Sequence, residues 1–226
     1  MIGWGYGWGM HVAIYSDVVC PWCSIGKTRF ENALAALPEE DRARVIYSWM
    51  PYQLDPTAPS TATPVIDTYA KKFGGHAKAV EIIGHVTATA AAEGITFRMD
   101  RALRANTFDA HRLLWFALHT DGAAAQTALK NALLTSYFHD GENIAEHAFL
   151  VEAAMSVGLD GTASAEFLAS DRGVFEVKAE LAEATSMGIS AVPTFVINGE
   201  WSIPGAQDTP TFVRMLTKLL AEEARA

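Results

Sequence analysis

Cysteine is nearly absent from this chain, with two among 226 residues. That scarcity excludes a disulfide-stapled scaffold and a four-cysteine zinc site. Positive charge is also short: 17 Lys and Arg stand against 26 Asp and Glu, a formal net charge of −9. Such a balance argues against nucleic acid or an anionic membrane surface as partner. No Lys or Arg precedes Lys27, so the basic start of a secretory leader is missing. No apolar run approaches the ~18–20 residues that cross a bilayer. The expected location is therefore the cytoplasm, with no membrane partner. Missing too are HExxH, any histidine pair at i, i+4, and the glycine-rich phosphate loops GxGxxG and GxxxxGK(S/T). Neither a metal nor a nucleotide cofactor is expected.

The two cysteines stand together as Cys20-Pro21-Trp22-Cys23, after a short apolar run and before a helical pattern. The first turn of a helix offers unpaired backbone N–H groups and the positive end of the peptide dipoles, which favour a negative sulfur. A thiol that titrates near ~8.5 when free can fall to ~3.5–7.5 in this setting. Cys20 is thus expected to be the ionised nucleophile. Cys23, one turn further in on the same side, is placed to attack a mixed disulfide and release the partner. Pro21 suits the first helical position, where its missing N–H is no loss. Trp22 is expected to be exposed beside the sulfurs, where it could contact substrate. Asp17, three residues before Cys20, is a candidate proton acceptor for Cys23. It could equally be a strand-end residue holding turn or cap hydrogen bonds.

Strand signals flank the motif over 12–16 and 45–52, with a helix between them that stops before Pro38. Residues 53–64 hold three prolines and read as loop. Thr63-Pro64 reads as a helix cap followed by proline at the first helical position. Helical periodicity then predicts helices over 64–73, 76–93, 107–119, 123–139, 144–157 and 163–169. Asn106 and Asp109 resemble a capping box, and Gly94, Gly141 and Gly158 lie where helix ends favour a left-handed residue. The histidines of this stretch, His111, His119, His139 and His147, read as packing, capping or surface residues. Phe108, Trp115, Phe116, Tyr137 and Phe138 read as core. A helix over 171–187, strands over 194–197 and 201–204 joined at Asn198-Gly199, and a helix over 209–223 complete the chain. The pattern is βαβ, a helical insert, then αββα. The expected division is 10–62 and 171–226 for an α/β unit, 63–170 for the insert, and 1–9 for a peripheral tail.

Three segments together resemble the DsbA-type, FrnE-like oxidoreductases of thioredoxin-like fold. They are Ser16-Asp17-Val18-Val19-Cys20-Pro21-Trp22-Cys23, the loop and strand Gly188 to Val196 containing Val192-Pro193-Thr194, and Asn198-Gly199 through Gln207. The stretches Asn106 to Arg112 and Tyr137 to Ile144 are similar to parts of that family's helical insert. Ser24 departs from the pattern, standing where many relatives carry an aromatic. The resemblance implies that Cys20 attacks, that Cys23 resolves, and that Pro193 is a cis-proline lying against the dithiol. It also implies that the Val192 backbone pairs with an extended substrate, beside Pro21 and Trp22. The implied partner is a protein or small-molecule thiol or disulfide, glutathione included, with the Cys20–Cys23 disulfide as the only redox group. Two rival readings carry over. One is a glutathione-dependent isomerase or transferase of the same fold, and the other a non-catalytic binding protein switched by the dithiol.

Overall fold

The computed structural model describes residues 9–59 and 61–224. The expected tail over 1–9 therefore falls almost wholly outside the described residues. A central four-stranded sheet has the order β2-β1-β5-β6, built from β1 (Met10–Ser16), β2 (Val45–Pro51), β5 (Thr194–Ile197) and β6 (Trp201–Pro204). β1 and β2 are parallel, with α1 (Pro21–Ala36) and the short α2 (Glu39–Arg42) between them, while β5 and β6 run antiparallel. Alternation along β1 assigns its faces. Met10, Val12 and Ile14 pack with Phe30, Ala33 and Leu34 of α1 and with Phe212, Leu216 and Leu220 of α9 (Thr209–Glu223). Tyr15 joins the opposite face with Met50, Val196 and Ala184, the last from α8 (Val174–Ser186). Phe30 anchors the first face, its ring 5.4 Å from Tyr47, 5.2 Å from Phe195 and 5.6 Å from Phe212.

The segments between β2 and α8 pack around a second core. Between β2 and α8 run β3 (Thr63–Pro64), α3 (Val65–Phe73), α4 (His76–Ala92), β4 (Leu103–Arg104), α5 (Phe108–Thr135), α6 (His147–Ser156) and α7 (Gly161–Leu168). Val18 and Ile25 belong to this core although they flank the dithiol. α1 therefore has two buried faces: Ile25 turns to this second core, whereas Phe30, Ala33 and Leu34 turn to the sheet. The dithiol lies on the seam between the two cores.

Three sequence expectations are corrected. Thr63-Pro64 does not cap a helix but forms a two-residue ladder with Leu103–Arg104, and the Val65 N–H donates to Ala102 O at 2.9 Å. Asn106 and Asp109 form no capping box. Asn106 Oδ1 accepts from the Phe108 N–H at 2.9 Å, and Asp109 instead pairs with Arg112 and His147. The two helices expected over 107–119 and 123–139 are present as the two segments of α5, which meet at the non-helical Gly122 (φ 88°, ψ −179°), and the second ends in a π-helical turn, Ser136–Asp140. Asn198 and Gly199 make the expected positive-φ turn, but pairing resumes only at Trp201, so the connection has three residues. Gly94, Gly141 and Gly158 all lie at positive φ, as their positions suggest.

Candidate active site

The chain leaves β1 at Ser16, turns through Asp17, Val18 and Val19, and enters α1 with Cys20 at the N-cap and Pro21 at the first helical position. The turn closes by Cys20 N–H to Asp17 O at 3.3 Å, and the helix opens with Cys23 N–H to Cys20 O at 3.0 Å. Both cysteines are thiols. Cys20 retains 4% exposure and Cys23 none. Trp22 is 38% exposed, with its ring 6.3 Å from that of His85 on α4.

Opposite the thiols, the Val192–Pro193 peptide bond is cis. The Cys20 thiol faces Val192 O at 3.7 Å. This loop is fixed on both sides: Gly205 N–H donates to Pro193 O at 2.8 Å, and Thr194 Oγ1 donates to Ala191 O at 2.8 Å. Beneath it, Gly26 has no side chain at the point where a Cβ would lie 2.8 Å from Pro193 Cγ and 3.4 Å from Ala206 Cβ. A glycine one turn past Cys23 is what lets the prolyl ring close down on α1. The structure thus brings Cys20, Cys23, Val192 and Pro193 together, with Trp22 exposed at the rim and Pro21 buried next to Cys20.

The carboxylate of Asp17 is buried and engaged by other partners. Its Oδ2 accepts from the Leu54 N–H at 2.8 Å, and its Oδ1 lies 3.3 Å from His111 Nε2. Leu54 belongs to the loop after β2 and His111 to α5, so this carboxylate joins three segments around the motif.

The two sulfurs titrate as a unit. Cys20 is pushed up by its hydrogen bond to Cys23 and by burial. Burial also opposes ionisation at Cys23, but the hydrogen bond from Cys20, the Lys130 ammonium, the Ser16 hydroxyl and the Asp17 backbone outweigh it and bring that thiol down. The sequence argument placed the negative charge on Cys20. The surroundings of Cys23, a buried cation and three donors, also favour a negative sulfur there. One proton is shared between the pair, and the second is hard to remove once the first has gone.

Sequence reasoning missed Lys130, His111, Tyr69 and Ser16. Lys130 of α5 is fully buried, with Nζ 3.5 Å from Ser16 O and 5.5 Å above the Trp49 ring. Tyr69 of α3 is held up to about 12 by burial and by the charge of Cys20. The signal for Lys130 was present: Gln126, Leu129, Lys130 and Leu133 follow the i, i+3, i+4, i+7 spacing of one buried helix face, and two of the four are polar. A cleft of 470 Å³ opens elsewhere, among Gln53, Asn106, Phe108, Asp109 and Lys178. Among the described residues, no group of three or more His, Cys, Asp or Glu could hold a metal ion, and no helix is long and apolar enough to cross a membrane.

Comparison with known proteins agrees with this geometry. The profile of the DSBA-like thioredoxin domain matches residues 11–217. A probable DsbA oxidoreductase from Streptomyces coelicolor is 34% identical, superimposes with a TM-score of 0.86, and is covered over 91% of its length by 94% of this chain. An uncharacterised Bacillus subtilis protein, YwbO, is 27% identical over 222 residues, 92% of this chain and 96% of that one. The cytosolic disulfide reductase DsbM from Pseudomonas aeruginosa, solved with glutathione, shares the fold at a TM-score of 0.66 and 16% identity, with 93% and 99% of the two chains covered. The chain belongs to the DSBA-like thioredoxin domain family of thiol–disulfide oxidoreductases.

Proposed function

We propose that the protein exchanges its Cys20–Cys23 dithiol with a disulfide in the cytoplasm, with Cys20 as the attacking sulfur and Cys23 as the resolving one. The approach of the Cys20 thiol to Val192 O, 3.7 Å away on the cis-prolyl loop, carries this reading. A partner chain lying along the Val192 backbone would present its sulfur to Cys20, adding a short strand to the loop. Pro21 and Trp22 would border that partner.

A negative charge on Cys23 is compatible with attack by Cys20. The two sulfurs share one proton, so transfer of that proton from Cys20 to Cys23 exposes a thiolate at the sulfur that solvent reaches. Attack forms a Cys20–partner disulfide and releases the first partner thiolate. Cys23 then displaces the second, leaving the Cys20–Cys23 disulfide. A protein disulfide and a small one such as glutathione disulfide are both within this chemistry, and the glutathione-bound relative makes the latter the first small substrate to assay.

Turnover of insulin disulfides or glutathione disulfide with a recycling reductant tests the reading. Many turnovers per chain are expected, with none for Cys20→Ser. Cys23→Ser should accumulate a mixed disulfide on Cys20. A protein that turns over neither substrate, or a Cys20→Ser variant that retains activity, would refute the assignment. Isomerisation that persists with glutathione in Cys20→Ser would favour the glutathione-dependent alternative.

A further inference from the structure

α5 lies outside the catalytic sheet, yet its side chains hold the backbone of β2. Gln126 spans the edge of β2: its Oε1 accepts from the Trp49 N–H at 2.8 Å and its Nε2 donates to Trp49 O at 2.8 Å. The side-chain amide thereby takes the place of a neighbouring strand. Trp49 Nε1 donates to Thr127 Oγ1 at 3.1 Å and fixes the rotation of the helix. One turn later this anchorage delivers Lys130 to the end of β1, where Ser16 O is its one hydrogen-bond partner among the described residues, at 3.5 Å. Ser16 also contributes a hydroxyl that has no oxygen or nitrogen partner among the described residues and faces Cys23. A fully buried ammonium with one long hydrogen bond is costly unless a negative charge compensates it.

We propose that Lys130 is the proton partner of Cys23, taking up the proton which that sulfur releases in order to resolve the mixed disulfide on Cys20. The inference rests on the dithiol reading above and adds the group that makes its second step possible. The charged and titratable groups acting on Lys130 come from several elements. Cys23 and Cys20 favour its ammonium, as does Asp17 in the turn after β1, while Lys27 on α1 opposes it. His111, on the first half of α5, is directed to Asp17. Burial dominates and lowers Lys130 to about 8, so the amine and ammonium forms are both accessible near neutrality. The carboxylate of Asp17, already held by Leu54 and His111, serves in this arrangement to hold the site together.

The step balances without another reagent. The Lys130 amine accepts the proton from Cys23 Sγ. The resulting thiolate attacks the Cys20 sulfur, the Cys20–partner bond breaks, and the electron pair leaves with the partner thiolate. Lys130 now faces an uncharged disulfide, loses the attraction that held its proton, and releases it, and the proton ends on the departing thiolate.

The wild-type protein supplies the first test, because its two redox states differ in the charge that Lys130 meets. With lysine side chains isotopically labelled, nuclear magnetic resonance should show Lys130 titrating about one pH unit or more lower in the disulfide form than in the dithiol form, a tenfold loss of proton affinity. Equal midpoints in the two states would overturn the proposal. The second test follows Cys23 alone, by ultraviolet thiolate absorbance in a Cys20→Ser background. Lys130→Gln should raise the Cys23 midpoint by about one unit or more, and Lys130→Arg should return it toward the wild-type value. An unmoved midpoint in the glutamine variant, or one not restored by arginine, would reduce Lys130 to a packing residue. If the glutamine variant does not fold, the comparison of redox states decides. Neither titration needs turnover, so each reads Lys130 even if disulfide exchange itself failed in the assays above.

Discussion

Gly26 and Pro193 occupy one space. A Cβ on residue 26 would lie 2.8 Å from Pro193 Cγ, closer than carbon atoms approach, and Ala206 blocks the other side at 3.4 Å. The cis-prolyl loop therefore rests on the bare backbone of the helix that carries the dithiol.

Gly26→Ala tests this contact. Overpacking at such a point costs about 1–3 kcal/mol, even after the small gain in helix propensity that alanine brings. The loop can relieve the overlap only by moving away from α1, which takes Val192 O away from Cys20. Urea denaturation should show the loss of stability, and turnover should fall further than stability alone explains. A Gly26→Ala protein with wild-type rates would mean that the loop position is not set here.

Arg112 is a second point where one residue holds several segments. Its guanidinium donates to the backbone oxygens of Phe167, Ser170 and Arg172 at 3.3, 2.5 and 2.7 Å, and to Asp109 Oδ1 at 2.7 Å. It also lies 5.2 Å from the centre of the Phe167 ring. Removing one member of a buried charged network leaves the others without partners, so Arg112→Met should cost about 3–5 kcal/mol. Arg112→Lys should recover little, because an ammonium cannot reproduce the planar fork of donors. Chemical denaturation of the two variants checks both statements, and near-wild-type stability in the lysine variant would refute the second.

Gln126→Leu should separate the insert from the sheet edge. The substitution keeps the helix and approximates the side-chain volume but leaves the buried N–H and C=O of Trp49 unpaired, at about 1–3 kcal/mol. Hydrogen exchange at the Trp49 amide should accelerate, while exchange in the β5–β6 hairpin should not. Unchanged protection at Trp49 would show that water or another group replaces the amide.

The parts of the site that were legible in the sequence are those specified locally. A β-prone run, a CxxC, a proline at the first helical position and a Val-Pro-Thr before a strand each follow from neighbours in the chain. Cys20 and Cys23 emerged in this way, and Pro193 through the resemblance that its segment carries. Lys130 and His111 did not, because their roles arise from how a helix 90 residues or more downstream packs on β1, and only the polar residues on a buried face of α5 betrayed them. The ladder of Thr63–Pro64 with Leu103–Arg104 was hidden for a related reason. Two residues show no periodicity, and the partner strand lies about 40 positions away. A helix N-terminus next to both sulfurs could be read from the chain, but not that Lys130 and Ser16 act at Cys23.

Glu180 provides a pH-dependent test on the far face of the sheet. Burial, followed by the charge of Glu183, raises its carboxyl to about 7 from a usual 4.5, against the Trp115 hydrogen bond that lowers it; Glu176 adds a smaller repulsion. Tyr15, which senses Glu183 and Glu180, is pushed up to about 12, mainly by burial. Between pH 4.5 and 7 the folded state retains a proton on Glu180 that the unfolded chain has already released. The folded state binds the greater number of protons there, so stability falls as pH rises across that window. Glu180→Gln keeps an acceptor for Trp115 and removes the titration. The variant should match the wild type near pH 4 and exceed it by an amount on the order of 1–3 kcal/mol above pH ~8. Urea midpoints measured for both proteins across the range would show the difference growing with pH. Parallel curves would mean that Glu180 is as well solvated in the folded protein as in the unfolded chain.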